Sequence, residues 1–77
     1  MARRALRDLS PGDTCRIVEV RGGGAGVARY AEMGITPGVV VEVARIAPLG
    51  DPVEIRVRGY RLSLRREEAD GIDVETL

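Results

Sequence analysis

The sequence predicts a mainly β fold: a small β-barrel of about five short strands with one short helical insertion. Three observations carry this. Apolar and polar residues alternate through "VEIRVR" and "YRLSLR", at 53–58 and 60–65, with the period of half-buried strands. Two earlier runs, "SPGDTCRIVEV" from Ser10 and "TPGVVVEVARI" from Thr36, both open on Ser/Thr-Pro-Gly and are rich in β-branched residues. In both runs the apolar parity changes part way along, as expected of strands bent hard enough to curl.

Taken in order, Pro at the second position and Gly at the third predict type II turns at Ser10–Asp13 and Thr36–Val39. In the first run, Thr14 to Arg21, Cys15 and Ile17 share one parity and Val18 and Val20 the other, which predicts a bulge near Val18. The glycines 22–24 read as a flexible lead-in to a helix over Ala25–Met33, where Val27, Tyr30 and Ala31 follow helical spacing. Gly34 then suits the left-handed residue that ends a helix. The second run, Val39 to Ile46, puts Val39, Val41 and Val43 on one face and Ile46 on the other. A hairpin follows, with Val53, Ile55 and Val57 inward, a tight turn at Gly59, and Tyr60, Leu62 and Leu64 inward. "REEADG" predicts one helical turn stopped by Gly71, and "IDVET" a closing strand beside the first, with Ile72 and Val74 inward. Closure into a barrel would remove the exposed edges of an open sheet.

The 77 residues predict one domain, 1–77. Twelve basic residues, all Arg, balance twelve acidic ones, which argues against a general nucleic-acid binder. The lone Cys15 rules out an intrachain disulfide and fits a reducing compartment. "MARRALRDLSPG" lacks the apolar core of a secretion signal, and no apolar run approaches the roughly 20 residues that span a bilayer. A cytoplasmic protein is expected.

Catalysis and metal binding find little support. There is no His to activate Cys15, whose place on a strand reads as a small buried hydrophobe. Ser10 reads as a turn residue and Ser63 as a solvent-facing one. One Cys without His gives poor support to a zinc or transition-metal site, and Glu67, Glu68 and Asp70 read as a solvated acidic turn. "GGGAG" lacks the Gly-Lys-Ser/Thr of a phosphate loop. No enzyme activity, cofactor or metal is expected. Arg56, Arg58, Arg61 and Arg65 form an outward basic stripe that would suit RNA or an acidic partner. No aromatic residue is interleaved to stack bases, and Glu42 and Glu54 are placed to offset part of the charge.

The stretch "IAPLGDP", 46–52, carries more than a turn needs. Pro48 and Pro52 restrict it, Gly50 and Asp51 turn it, and little conformational freedom is left to lose on binding. Leu49 at its tip either projects as an anchor for a partner's pocket or folds back over the end of the barrel. Tyr30 and Met33 on the helix are secondary partner-binding candidates.

Three blocks occur in order: "LRDLSPGDTCRIVEV", "RYAEMGITPG" at 29–38 and "APLGDP" at 47–52. From about Leu6 to Val74 the chain resembles the FeoA family, small accessory proteins of bacterial ferrous iron transport. Tyr30 stands where many relatives have leucine. The resemblance implies an SH3-like barrel with a helical insertion and a cytoplasmic protein that acts with FeoB, the membrane iron transporter. The same domain resembles the C-terminal domain of DtxR-type metal-dependent repressors. The winged helix and dimerisation region of those proteins do not fit before Leu9, which favours the free-standing form. Two functions follow as expectations. One is a module that contacts FeoB through Pro48, Leu49, Gly50, Asp51 and Pro52 with Tyr30 and Met33. The other is a nucleic-acid-binding barrel using the Arg stripe. Weak self-association through a barrel edge is a third outcome the pattern allows.

Overall fold

The structure, a computed structural model, describes residues 3–21 and 25–77, and for 25–28 the backbone alone. The described elements are β1 (Arg3–Ala5), a 3-10 turn (Leu6–Asp8), β2 (Thr14–Val20), α1 (Ala25–Glu32), β3 (Val40–Ile46), β4 (Val53–Val57), β5 (Tyr60–Leu64), α2 (Arg66–Asp70) and β6 (Ile72–Thr76). The strands form one antiparallel sheet in the order β1-β6-β2-β3-β4-β5.

Both Ser/Thr-Pro-Gly turns form as expected. Asp13 N–H donates to the Ser10 carbonyl at 3.0 Å and Val39 N–H to the Thr36 carbonyl at 3.1 Å. Gly12 and Gly38 take φ of +95° and +94°, open to glycine and costly to other residues. Each turn also bonds to the strand that the other one launches. Gly12 N–H reaches the Val43 carbonyl at 2.8 Å, and Val43 N–H reaches the Asp13 carbonyl at 2.9 Å. The mirror of this is Gly38 N–H to the Ile17 carbonyl at 2.7 Å and Ile17 N–H to the Val39 carbonyl at 2.8 Å. The exchange fixes the register of β2 against β3, with Cys15 opposite Val41.

Past this clamp each strand bulges at the equivalent place. β2 shifts register against β6 between Ile17 and Glu19, and β3 shifts against β4 between Val43 and Arg45. These are the changes of parity seen in the sequence. The extra residue bends each strand, so β6 and β4 curl around one core. That core holds Leu6, Cys15, Ile17, Ile35, Val41, Val43, Ile55, Leu64, Ile72 and Val74, and includes no buried charged residue among those described. Burial, with the charge of Asp13, pushes the Cys15 thiol up to about 11, so it is a protonated core residue at neutral pH.

α1 ends in a Schellman motif. Ile35 N–H bonds the Tyr30 carbonyl at 2.8 Å and Gly34 N–H bonds the Ala31 carbonyl at 3.0 Å, with Gly34 at φ +84°. The Met33 carbonyl, which the helix cannot satisfy, accepts from the Tyr60 hydroxyl. The β4–β5 hairpin turns on Arg58 and Gly59, at φ +49° and +86°. Two successive positive φ values give the twist that tight hairpins need. α2 and the closing strand β6 beside β2 also form as the sequence predicts.

The expected mainly β fold stands, with four corrections. There are six described strands rather than about five, because β1 was missed: "RRA" has no alternation and exists as a strand through backbone pairing with β6. The sheet does not close, since β1 and β5 each have one neighbour among the described residues. Tyr60 is not buried: it shares the inward face of its partner Val57 but lies 43% exposed at the rim, its hydroxyl on the Met33 carbonyl. Ala31, assigned to the apolar stripe of the helix, is exposed. The glycines 22–24 and the side chain of Val27 lie outside the described residues.

Gly12 and Gly38 have no heavy atom within 4 Å of where a Cβ would stand. Alanine there adds no clash and tests the backbone alone. Gly12→Ala and Gly38→Ala are each expected to cost about 1–2 kcal/mol, read as a lower urea midpoint at unchanged slope; wild-type midpoints would show that the turns do not constrain the fold.

Candidate functional site

The loop between β3 and β4 is built from the "APLGDP" residues. Pro48 takes the second position of a turn in which Gly50 N–H donates to the Ala47 carbonyl at 2.7 Å. Ala47 N–H closes the base on the Pro52 carbonyl at 3.1 Å. The Asp51–Pro52 peptide bond is cis. Asp51 Oδ1 accepts from the Arg66 amide at 3.2 Å, so the loop is tied to the first residue of α2. Gly50, at φ +84°, lies against the Arg66 stem: a Cβ there would stand 3.8 Å from Arg66 Cδ. Leu49, third in the turn, is left with nothing to pack on and is 91% exposed. The alternative in which it covers the end of the barrel does not hold.

α2 is in turn held by Glu68. Its carboxylate accepts from the Arg65 amide at 2.8 Å, satisfying a backbone donor at the helix start, and pairs with Arg29 of α1 at 2.9 Å. The Arg65 N–H, ahead of the smaller contributions of Tyr30 and Arg29, holds the Glu68 carboxyl below its ordinary range against the opposing effect of burial. A chain of contacts thus runs from the exposed loop through α2 to α1.

The remaining candidates separate from the loop. Tyr30 is in the core, 8% exposed, with the Arg29 guanidinium 5.8 Å above its ring, and burial raises its hydroxyl pKa. It offers a partner little surface. Met33 is half-buried against the core, with its carbonyl occupied by Tyr60. Among the basic residues, Arg56 pairs with Glu42 at 3.0 Å and Arg61 approaches Glu54 at 3.9 Å. Arg58 lies in the hairpin turn and Arg65 before α2, and all four are exposed.

Between the loop and β5 lies an open depression of about 370 Å³ lined by Asp51, Pro52, Ser63, Leu64 and Arg65. A neighbouring one of about 340 Å³ is walled by charges of both signs, including the Arg7–Asp70 pair at 2.7 Å. Among the described residues no group of three or more His, Cys, Asp or Glu is arranged to hold a metal. No described helix is long and apolar enough to cross a membrane. Sequence reading missed the anchoring role of Asp51: its partner lies fifteen positions on, and no local pattern marks so distant a bond.

A family model described as the FeoA domain matches residues 4–76. The Fe(2+) transport protein A/Fe(2+) transporter FeoB fusion protein of Porphyromonas gingivalis is 44% identical over 72 residues, 94% of this chain and 8% of that protein. The chain therefore spans a small fraction of that curated relative. The solution structure of a FeoA protein from Chlorobium tepidum shares 38% identity at TM-score 0.88, covering 95% of this chain and 70% of the other. A FeoA-like protein from Clostridium acetobutylicum shares 31% at TM-score 0.89, covering 100% and 90%. IdeR of T. acidophilum superposes at TM-score 0.88 with 22% identity over 35% of its chain, a likeness of fold alone.

Because its folded pKa is lowered, Glu68 stabilises the fold above its unfolded value of 4.5, and that contribution is lost as pH falls through the lower folded value. Glu68→Gln is expected to be less stable than wild type at neutral pH and to lose less stability below about pH 4.5. Parallel acid limbs in urea melts at stepped pH would show that the carboxylate has no such role.

Proposed function

The chain belongs to the FeoA domain family, and on that footing we propose that it serves bacterial ferrous iron uptake as a non-catalytic accessory that docks on FeoB in the cytoplasm. Iron is the transporter's cargo in this reading, and the chain acts by protein contact. One observation carries the docking mode: a leucine 91% exposed at the tip of a loop held by three hydrogen bonds. A large apolar side chain on a pre-ordered loop has little freedom to lose on binding and apolar area to bury. The fusion relative supports the choice of partner. One polypeptide holds its two parts at high effective concentration. A separate chain needs an affinity of its own to reach the same association.

The nucleic-acid reading is weaker. The partial pairing of Arg56 and Arg61 with glutamates lowers the charge open to phosphate. The repressors that share the fold do so at 22% identity or less, which carries no function across.

Leu49→Asp is expected to weaken binding to detergent-solubilised FeoB by about 30-fold or more, the loss of one anchor of about 2 kcal/mol, with an unchanged circular dichroism spectrum. Binding equal to wild type would remove the loop from the interface. Binding lost only when Arg56 and Arg61 are replaced would move the interface to the basic face.

A further inference from the structure

We propose that the open edge of β5 receives an added strand, an extended segment of a partner protein in which acidic and apolar residues alternate. The inference rests on the backbone and charges of that edge and does not depend on FeoB being the partner.

β5 pairs with β4 on one side and has no strand on the other among the described residues. Val57 faces Tyr60 across the two-residue turn, so this pair exchanges backbone hydrogen bonds and the pattern alternates from there. Tyr60, Leu62 and Leu64 aim their backbone groups at β4. Arg61 and Ser63 aim theirs at the open side. The next amide on that side, that of Arg65, is already bonded to Glu68. The edge thus offers the N–H and C=O of two residues, enough to seat a short strand and too little for a long sheet.

The side chains select the occupant. On the outer face Arg61 stands at the middle, only 3.9 Å from Glu54 at closest. Arg58 and Arg65 stand beyond the two ends, with no carboxylate in ion-pair range among the described residues. On the inner face, Tyr60 is 43% exposed and Leu62 half-buried, so apolar surface reaches the rim. Successive residues of an added strand alternate between these faces, acid over Arg61 and apolar residue against Leu62 and Tyr60. Arg58 sits at φ +49°, where Asn or Gly is the favoured occupant, so a long cation stands at the mouth of the edge at some backbone cost.

The opposite edge does not offer this. β1 is three residues long, and Arg3 is tied to Glu19 and Asp73. A second copy of the chain also fits poorly, since β5 against β5 would gather Arg58, Arg61 and Arg65 twice on one ribbon.

The test is titration of the isotope-labelled full chain with a synthetic alternating Glu-Val peptide, with an alternating Lys-Val peptide as control. The readouts are amide shifts and hydrogen exchange. The acidic peptide is expected to shift and protect the Arg61 and Ser63 amides, with binding that weakens between low salt and about 0.5 M. Arg61→Glu is expected to weaken it by roughly fivefold or more. Ser63→Pro removes an amide that faces away from β4, so it blocks the added strand while keeping the β4 ladder. Protection absent from β5, an equal response to the Lys-Val peptide, or wild-type binding by folded Ser63→Pro would each overturn the proposal.

Discussion

Each Ser/Thr-Pro-Gly turn is hydrogen-bonded to the strand that the other one launches, and the placement of the other elements follows from that exchange. Gly12 and Asp13 hold Val43, and Gly38 and Val39 hold Ile17. A one-residue slip of β2 against β3 would turn Cys15 and Ile17 to solvent while Val41 and Val43 stay inward. The clamp forbids that slip. It also places the bulges after Ile17 and Val43 at matching distances from their turns, and these bends bring β6 and β4 over one core. The loop that carries Leu49 leaves the far end of β3, so its position inherits the same register.

Much of this was legible because it is local. Pro-Gly turns, the parity changes, Gly34 after the helix, the hairpin alternation and Gly71 after "REEAD" all act within a few residues of where they are written. What was not legible depends on distant partners. β1 is a strand only because β6 offers it a ladder, and nothing in Arg3–Ala5 shows this. Tyr60 keeps the inward parity of Leu62 and Leu64, yet it stays 43% exposed at the rim, where its hydroxyl meets the uncapped Met33 carbonyl. The candidate site divides in the same way. The turn chemistry of Pro48 and Gly50 could be read directly. The exposure of Leu49 and the anchoring of Asp51 on α2 could not, because both depend on what α2 leaves uncovered. The burial of Tyr30 could not be read either, since a helical apolar residue with a hydroxyl suits a surface and a core equally.

Zero net charge conceals an uneven distribution. Asp73 gathers Arg3 and Arg21, Glu68 gathers Arg29, and Asp70 gathers Arg7, so part of the charge on the β1–β6 side and the helices is paired. On the hairpin side Arg58 and Arg65 have no carboxylate in ion-pair range among the described residues, and Arg65 lines the depression beneath the Leu49 loop. Exposed ion pairs of this kind add little stability. Their larger effect is to decide which surfaces a partner meets as neutral and which as basic. The apolar tip of Leu49 and the basic edge of β5 flank that depression, so one partner could engage both.

The most direct test of the docking account is to place a photo-crosslinking amino acid at position 49, and separately at position 3, the exposed Arg3 of the opposite edge strand β1, and irradiate each with FeoB. The account predicts a crosslinked FeoB adduct from position 49 and none from position 3. Adducts from position 3 alone, with none from 49, would contradict it.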